Sequence, residues 1–292
     1  MKIYIPGLCT VMALGLTLSG CSGDDDSDMP QSPVAGTKTV TISAVEYHPA
    51  PGQFVNEMPA YTSGMTAQQM QQAALSDLQR GRGVSLGAFG GYIIMTLSEP
   101  INHRADGRDF KVLGNAFSGS AEPGVVEVSA DGSQWYALSG QDWSQATRNF
   151  TITYYQPAAD ATQAHYIRWT AASGESGWIS RNPGFHTDHP FFPAWEEGVT
   201  SLTFTATRLP DNWSYDQATG NYKGEAMWGY ADSYPNTSAD SWLNLANAVD
   251  ASNNPVTVSS IRYIKVTTGV LDSNSVTGEC STEVMGIQVQ TD

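Results

Sequence analysis

The chain has 292 residues, with 14 basic against 29 acidic side chains and a formal net charge of −15. So acidic a balance excludes a nucleic-acid binder, because phosphate contact requires a basic face. It also sets the chain against anionic glycans and lipid headgroups, which the summed field repels.

In chain order, residues 1–20 read as a lipoprotein signal peptide. Lys2 gives a cationic start, and the apolar run from Ile5 to Leu18 is too short to span a bilayer. It ends in Leu18-Ser19-Gly20-Cys21, which resembles the lipobox of bacterial lipoproteins and makes Cys21 the expected site of lipidation. Each buried acyl methylene contributes about 0.8 kcal/mol, so two or more chains give stable anchoring. No later stretch approaches about 20 apolar residues, and the expected membrane contact is the lipid anchor alone.

Residues 21–37 are expected to form an acidic flexible tether. Asp24-Asp25-Asp26-Ser27-Asp28 looks like a surface-export signal, and the Pro-, Ser- and Gly-rich stretch after it lacks periodicity. Residues 38–292 then read as a single β-sandwich ligand-binding domain, since no linker divides them. With Cys9 removed and Cys21 acylated, Cys280 is left without a disulfide partner. Its neighbours Glu279 and Ser281 offer nothing to lower a thiol pKa, so it reads as a packing residue.

Strand signals dominate that domain: Thr39–Glu46, Tyr92–Leu97, Phe110–Leu113, Val125–Ser129, Trp135–Leu138, Phe150–Tyr155, Tyr166–Thr170, Ser201–Thr207, Arg262–Thr268 and Val284–Gln290 are rich in Val, Ile, Thr and aromatics. So many short strands predict an all-β sandwich with long loops. Alternation over Thr39–Val45 predicts Val40, Ile42 and Ala44 on one face and Thr and Ser on the other. Asp131-Gly132 supplies the positive-φ positions of a hairpin. One short inserted helix is predicted over about Thr66–Arg80, with Thr66 and Gln69 as a capping box, Met70, Ala73, Ala74 and Leu78 along one face, and Gly81 as the stop.

No catalytic signature is legible. There is no Gly-x-Ser-x-Gly, no reactive cysteine context and no placed carboxylate pair, so the expectation is a non-enzyme. Leu86–Tyr92 is Gly-rich but lacks both nucleotide fingerprints, and its glycines read as a bulge or a close strand approach. His186-Thr187-Asp188-His189 is metal-capable only if it lies on a loop. Around it Trp178, Phe185, Phe191, Phe192 and Trp195 crowd a Pro- and Gly-rich segment. A second cluster holds Trp213, Tyr215, Tyr222, Trp228, Tyr230 and Tyr234. Aromatics on loops either pack beneath them or form a platform for flat ligands. The candidate ligand residues are therefore Trp178, Phe185, His186, His189, Phe191, Phe192, Trp195, Trp228 and Tyr230.

Glu46–Asn56, Ser85–Tyr92, Asp109–Phe117 with Glu122-Pro123-Gly124, Thr205–Leu209, Trp228–Asp232 and Ser281–Val284 together resemble a family of Bacteroides-type cell surface lipoproteins. The resemblance implies a jelly-roll sandwich similar to galactose-binding or discoidin-like modules. It also implies a non-catalytic accessory on the outer membrane, facing the cell exterior, that captures cobalamin or a glycan for a TonB-dependent transporter. No organic cofactor is implied; a structural calcium is, with Glu283 and Asp106 or Asp109 as its oxygen ligands. Two other readings stay open: a structural or adhesion protein whose aromatics are all core, and a glycan-acting hydrolase.

Overall fold

The computed structural model describes residues 36–184 and 189–291. Six antiparallel sheets and one α-helix among the described residues make an all-β, sandwich-like fold. The largest sheet has six strands in the order Ala248–Val249, Tyr136–Leu138, Gly124–Ser129, Ser260–Thr268, Tyr92–Asn102, Ile42–His48. A four-stranded sheet runs Ser176–Ile179, Ile167–Ala171, Thr147–Tyr155, Ser201–Arg208, and a three-stranded one Thr37–Thr39, Gly286–Gln290, Lys111–Leu113. The other three are two-stranded ribbons.

Strand alternation builds two main cores. Ile93, Met95 and Leu97, with Val126, Val128, Ile264 and Val266, turn one face of the six-stranded sheet inward against the helix and the Val112–Ile287 layer. Phe150, Ile152, Tyr154, Ile167, Ile179 and Phe204 do the same for the four-stranded sheet, closing over Phe89 and Phe191. Burying a side chain of this size contributes about 1.5–3 kcal/mol, which is how the described residues cohere with no disulfide among them. Cys280 is a free, buried thiol, pushed well above its ordinary pKa by desolvation and then by the Glu122 carboxylate.

The helix spans Ala67–Gln79 with Thr66 as its cap. Gln69 N–H donates to the Thr66 hydroxyl at 3.3 Å and the Gln69 side chain accepts the Thr66 N–H at 2.8 Å. Met70, Ala74 and Leu78 are its buried face, and Gly81 ends it at φ 72°. It packs on Ile42–His48, the edge strand of the large sheet, and the Gln79 amide donates to the Ile42 carbonyl. A sheet edge is thereby covered. Among the described residues no helix is long and apolar enough to cross a membrane.

Two local expectations are corrected. The expected Thr39–Glu46 strand is split between the three-stranded sheet, which takes Thr37–Thr39, and the large sheet, which takes Ile42–His48. The latter carries a bulge between Ile42 and Ala44, so Tyr47 follows Ile42 inward while Ala44 is exposed. At the hairpin only Gly132 has positive φ, 79°. Asp131 acts through its side chain instead, accepting the N–H groups of Ser133 at 2.8 Å and Gln134 at 3.0 Å. Those bonds hold its carboxyl down to a pKa of about 2.

Candidate functional site

The predicted ligand residues divide by where the fold places them. Trp178 is 42% exposed and Trp228 47%. Phe191, Phe192, Trp195 and Tyr230 are core side chains that offer little surface to a ligand. His189 is exposed, 3.8 Å from a Glu57 carboxylate oxygen. Phe185 and His186 lie outside the described residues, as do Thr187 and Asp188.

Asn56 explains the inward turn at Phe191 and Phe192. Its buried amide donates to the carbonyls of Pro190 and Phe192, and its oxygen accepts the Ala194 N–H at 2.9 Å. Gly52 N–H adds a bond to the Phe191 carbonyl at 2.9 Å. These bonds tie a Pro-rich segment to the core, and its rings follow. Nothing in the local sequence pattern distinguishes Asn56 from an ordinary turn residue.

Trp178 stands on the outward face of the four-stranded sheet, where register assembles a row that no segment shows alone. Trp178 pairs with Arg168 across the edge strands, and Arg168 lies over the Tyr155 ring at 5.3 Å from its centroid. The His165 ring sits 5.0 Å from the indole, tilted by 48°. Ser201 continues the row as the partner of Tyr155. The inward neighbours Tyr154, Ile167 and Ile179 are buried, so the sheet behind this face is rigidly backed. Tyr155, His165 and Arg168 are absent from the sequence-based candidates. Strand alternation could have placed Tyr155 outward, but only pairing brings it into line with Trp178.

A second site is electrostatic. Glu122, Asp232 and Glu283 each bring a carboxylate oxygen within 4.8 Å of the others. Asp232 Oδ1 accepts the N–H groups of Asn115 and Ala116, both at 2.9 Å. The Ser281 N–H donates to Glu122 at 2.9 Å, and the Ser281 hydroxyl to Glu283 at 3.1 Å. Among the described residues, no ion pair from Lys or Arg reaches these three. Desolvation, against the opposing N–H donors, pushes Asp232 up to about 7. Burial and then the Asp232 charge push Glu283 up to about 8. Desolvation, then Glu283 and Asp232, raise Glu122, the partly exposed member. Nearby, Glu279 is pushed up to about 7 by burial, opposed by the Gln53 N–H.

Like charges packed this closely are stable only when protons or a cation neutralise them. Three carboxylates with the Ser281 hydroxyl are oxygen donors of the kind a hard divalent ion such as calcium takes. Asp106 and Asp109 do not share this cluster with Glu283. Buried Asp109 is occupied by the Leu245 N–H at 2.6 Å and the His103 ring at 3.0 Å, and exposed Asp106 accepts the Arg108 N–H at 3.2 Å.

No protein-family model matches the sequence, and no curated protein is found to be similar to it.

Proposed function

We propose that this chain is a lipoprotein of the outer-membrane surface that captures a nutrient ligand without transforming it and hands it to a TonB-dependent transporter. The observation that carries the reading is the row on the four-stranded sheet, where Trp178, Arg168 and Tyr155 share an outward face backed by packed core. An exposed indole on a rigid sheet loses little entropy when a flat ligand stacks on it. An adhesion protein with all its aromatics in the core has no need of such a row. Nor do the clustered carboxylates suit glycoside hydrolysis. Asp232 and Glu283 are buried, where a sugar chain cannot lie between them, whereas the two acids of a glycosidase flank the scissile bond.

In this reading Cys21 carries the anchor, the acidic tether directs export, and the sandwich is a jelly roll. Glu122, Asp232 and Glu283 would hold a structural calcium, whose charge would neutralise the buried carboxylates.

The test is titration of the detergent-purified full chain, read by tryptophan emission, against cobalamins and a panel of neutral and acidic oligosaccharides. Saturable quenching by one class is expected; silence across the panel overturns capture. In parallel, Cys21→Ser should move the protein from the membrane to the soluble fraction, and retention on the membrane overturns the anchor.

A further inference from the structure

The outward face that carries Trp178 does not end at its own sheet. Its fourth strand, Ser201–Arg208, borders a cleft of ≈ 420 Å³ between the two large sheets, within the range of small-molecule sites. Tyr92 is half-buried in the cleft wall, with the His48 ring 5.0 Å from it and the Lys265 ammonium 4.9 Å from its centroid. Lys265 is also bonded to a Glu127 carboxylate at 2.9 Å, so little free positive charge faces the cleft. Trp195, 8% exposed, also lines the cleft.

Thr203 and Thr205 line the same cleft and belong to a hydroxyl ladder. Thr203 pairs with Thr153 and Thr205 with Thr151, each at 2.8 Å between hydroxyl oxygens on the exposed face. Tyr155 and Thr170 make a third hydroxyl pair at 3.0 Å. A hydroxyl carries one proton and two lone pairs. Each pair therefore spends one proton internally and keeps one to donate, together with free lone pairs to accept.

We infer that this face binds an uncharged oligosaccharide, which runs from Tyr92 in the cleft across the threonine ladder to Trp178; the inference rests on the capture reading above and names its ligand. Sugar hydroxyls also donate and accept at once, so a two-way ladder matches them, whereas a carboxylate or phosphate ligand only accepts. Exposed Trp178 offers ring surface to the C–H side of a sugar ring, while Tyr92, flanked by His48 and Lys265, offers its half-buried ring edge to the cleft. The net charge of −15 and Glu196 at the cleft disfavour acidic chains. From the Thr203 strand to the Trp178 strand is three steps of ~4.8 Å, about 14 Å in all. The ligand is therefore a chain of sugars.

The experiment is calorimetric titration of the full chain with neutral glucan, mannan and xylan oligosaccharides of two and six units, with acidic oligosaccharides and cyanocobalamin alongside. A six-unit neutral chain should bind at least tenfold more tightly than its two-unit form. Tyr92→Ala and the pair Thr203→Val with Thr205→Val should each weaken it tenfold or more, while Trp178→Ala should erase the length dependence. The valine pair keeps shape and strand propensity on an exposed face, so it reports on hydroxyls even if Tyr92→Ala disturbs the fold. Binding of only acidic chains or cyanocobalamin overturns this inference and leaves capture standing. Neutral binding that ignores these variants also overturns it, and silence throughout overturns both.

Discussion

Asp232 accepts the backbone N–H of Glu283 on Oδ2 at 2.9 Å while the carboxylates of the two residues share one buried cluster with Glu122. The bond locks two like-charged side chains side by side. Stability then depends on what neutralises them.

The sign of the resulting pH dependence follows from the raised pKa values. Asp232 and Glu279 titrate near 7 and Glu283 near 8 in the folded chain, against ordinary values of 3.8 for Asp and 4.5 for Glu. Between about pH 4 and 8 the folded state holds protons that the unfolded chain has released, so stability falls as pH rises through that window. In chelator, the melting temperature should be higher at pH 5 than at pH 8.5, and Glu283→Gln should flatten the slope. Millimolar calcium should raise the melting temperature at pH 8.5. A wild-type profile no steeper than that of Glu283→Gln contradicts the account.

Gly91 sits where no side chain fits. A Cβ there would lie 1.9 Å from the Leu86 carbonyl oxygen and 2.4 Å from Ala50 N, the two atoms of a 3.0 Å hydrogen bond. Both are backbone, so no rotamer relieves the clash. Gly91→Ala should cost about 3 kcal/mol or more through overpacking and a lost buried bond. Urea denaturation measures it, and a loss under about 1 kcal/mol would show that the backbone yields.

The helix cap is separable from ligand binding. Thr66→Ala removes the acceptor for Gln69 N–H and should cost about 1 kcal/mol, a fall of about 2–4 °C in melting temperature. Thr66→Ser should recover most of it. Equal losses in both variants would assign the effect to the methyl group.

Two aromatics close in sequence should behave oppositely. Phe191 is fully buried and meets Tyr166 edge to face at 5.1 Å, so Phe191→Ala should destabilise by about 3–5 kcal/mol. Exposed Trp178→Ala should change stability by about 0.5 kcal/mol or less and act on binding instead. Chemical denaturation of both variants beside a titration separates the roles; a large stability loss in Trp178→Ala would make it a packing residue.

Legibility in the sequence followed range. The helix at Ala67–Gln79, its Thr66–Gln69 box and Gly81 are written within about 15 neighbouring residues, and the structure reproduces them. Ten strand signals correspond to observed strands, yet short pieces such as Val84–Ser85, Ser176–Ile179 and the paired Trp213–Asp216 and Asn221–Gly224 escaped, because two to four residues carry too little periodicity. Aromatic density flagged Trp178 and Phe191 alike, although one faces water and the other the core. Composition reports that a ring must be placed, and a distant Asn56 decides where.

The sequence by itself determined an acidic all-β chain with one capped helix, an unpaired Cys280 and a lipobox-like Cys21, because composition and local periodicity are properties of neighbouring residues. Only the tertiary structure decided that Glu122, Asp232 and Glu283 meet, and that Tyr155, Arg168 and Trp178 align beside a threonine ladder. Those contacts join residues separated by tens of positions. Strand register and loop docking create them, and a period-2 pattern marks two faces of a strand without saying which partner or which solvent each will meet.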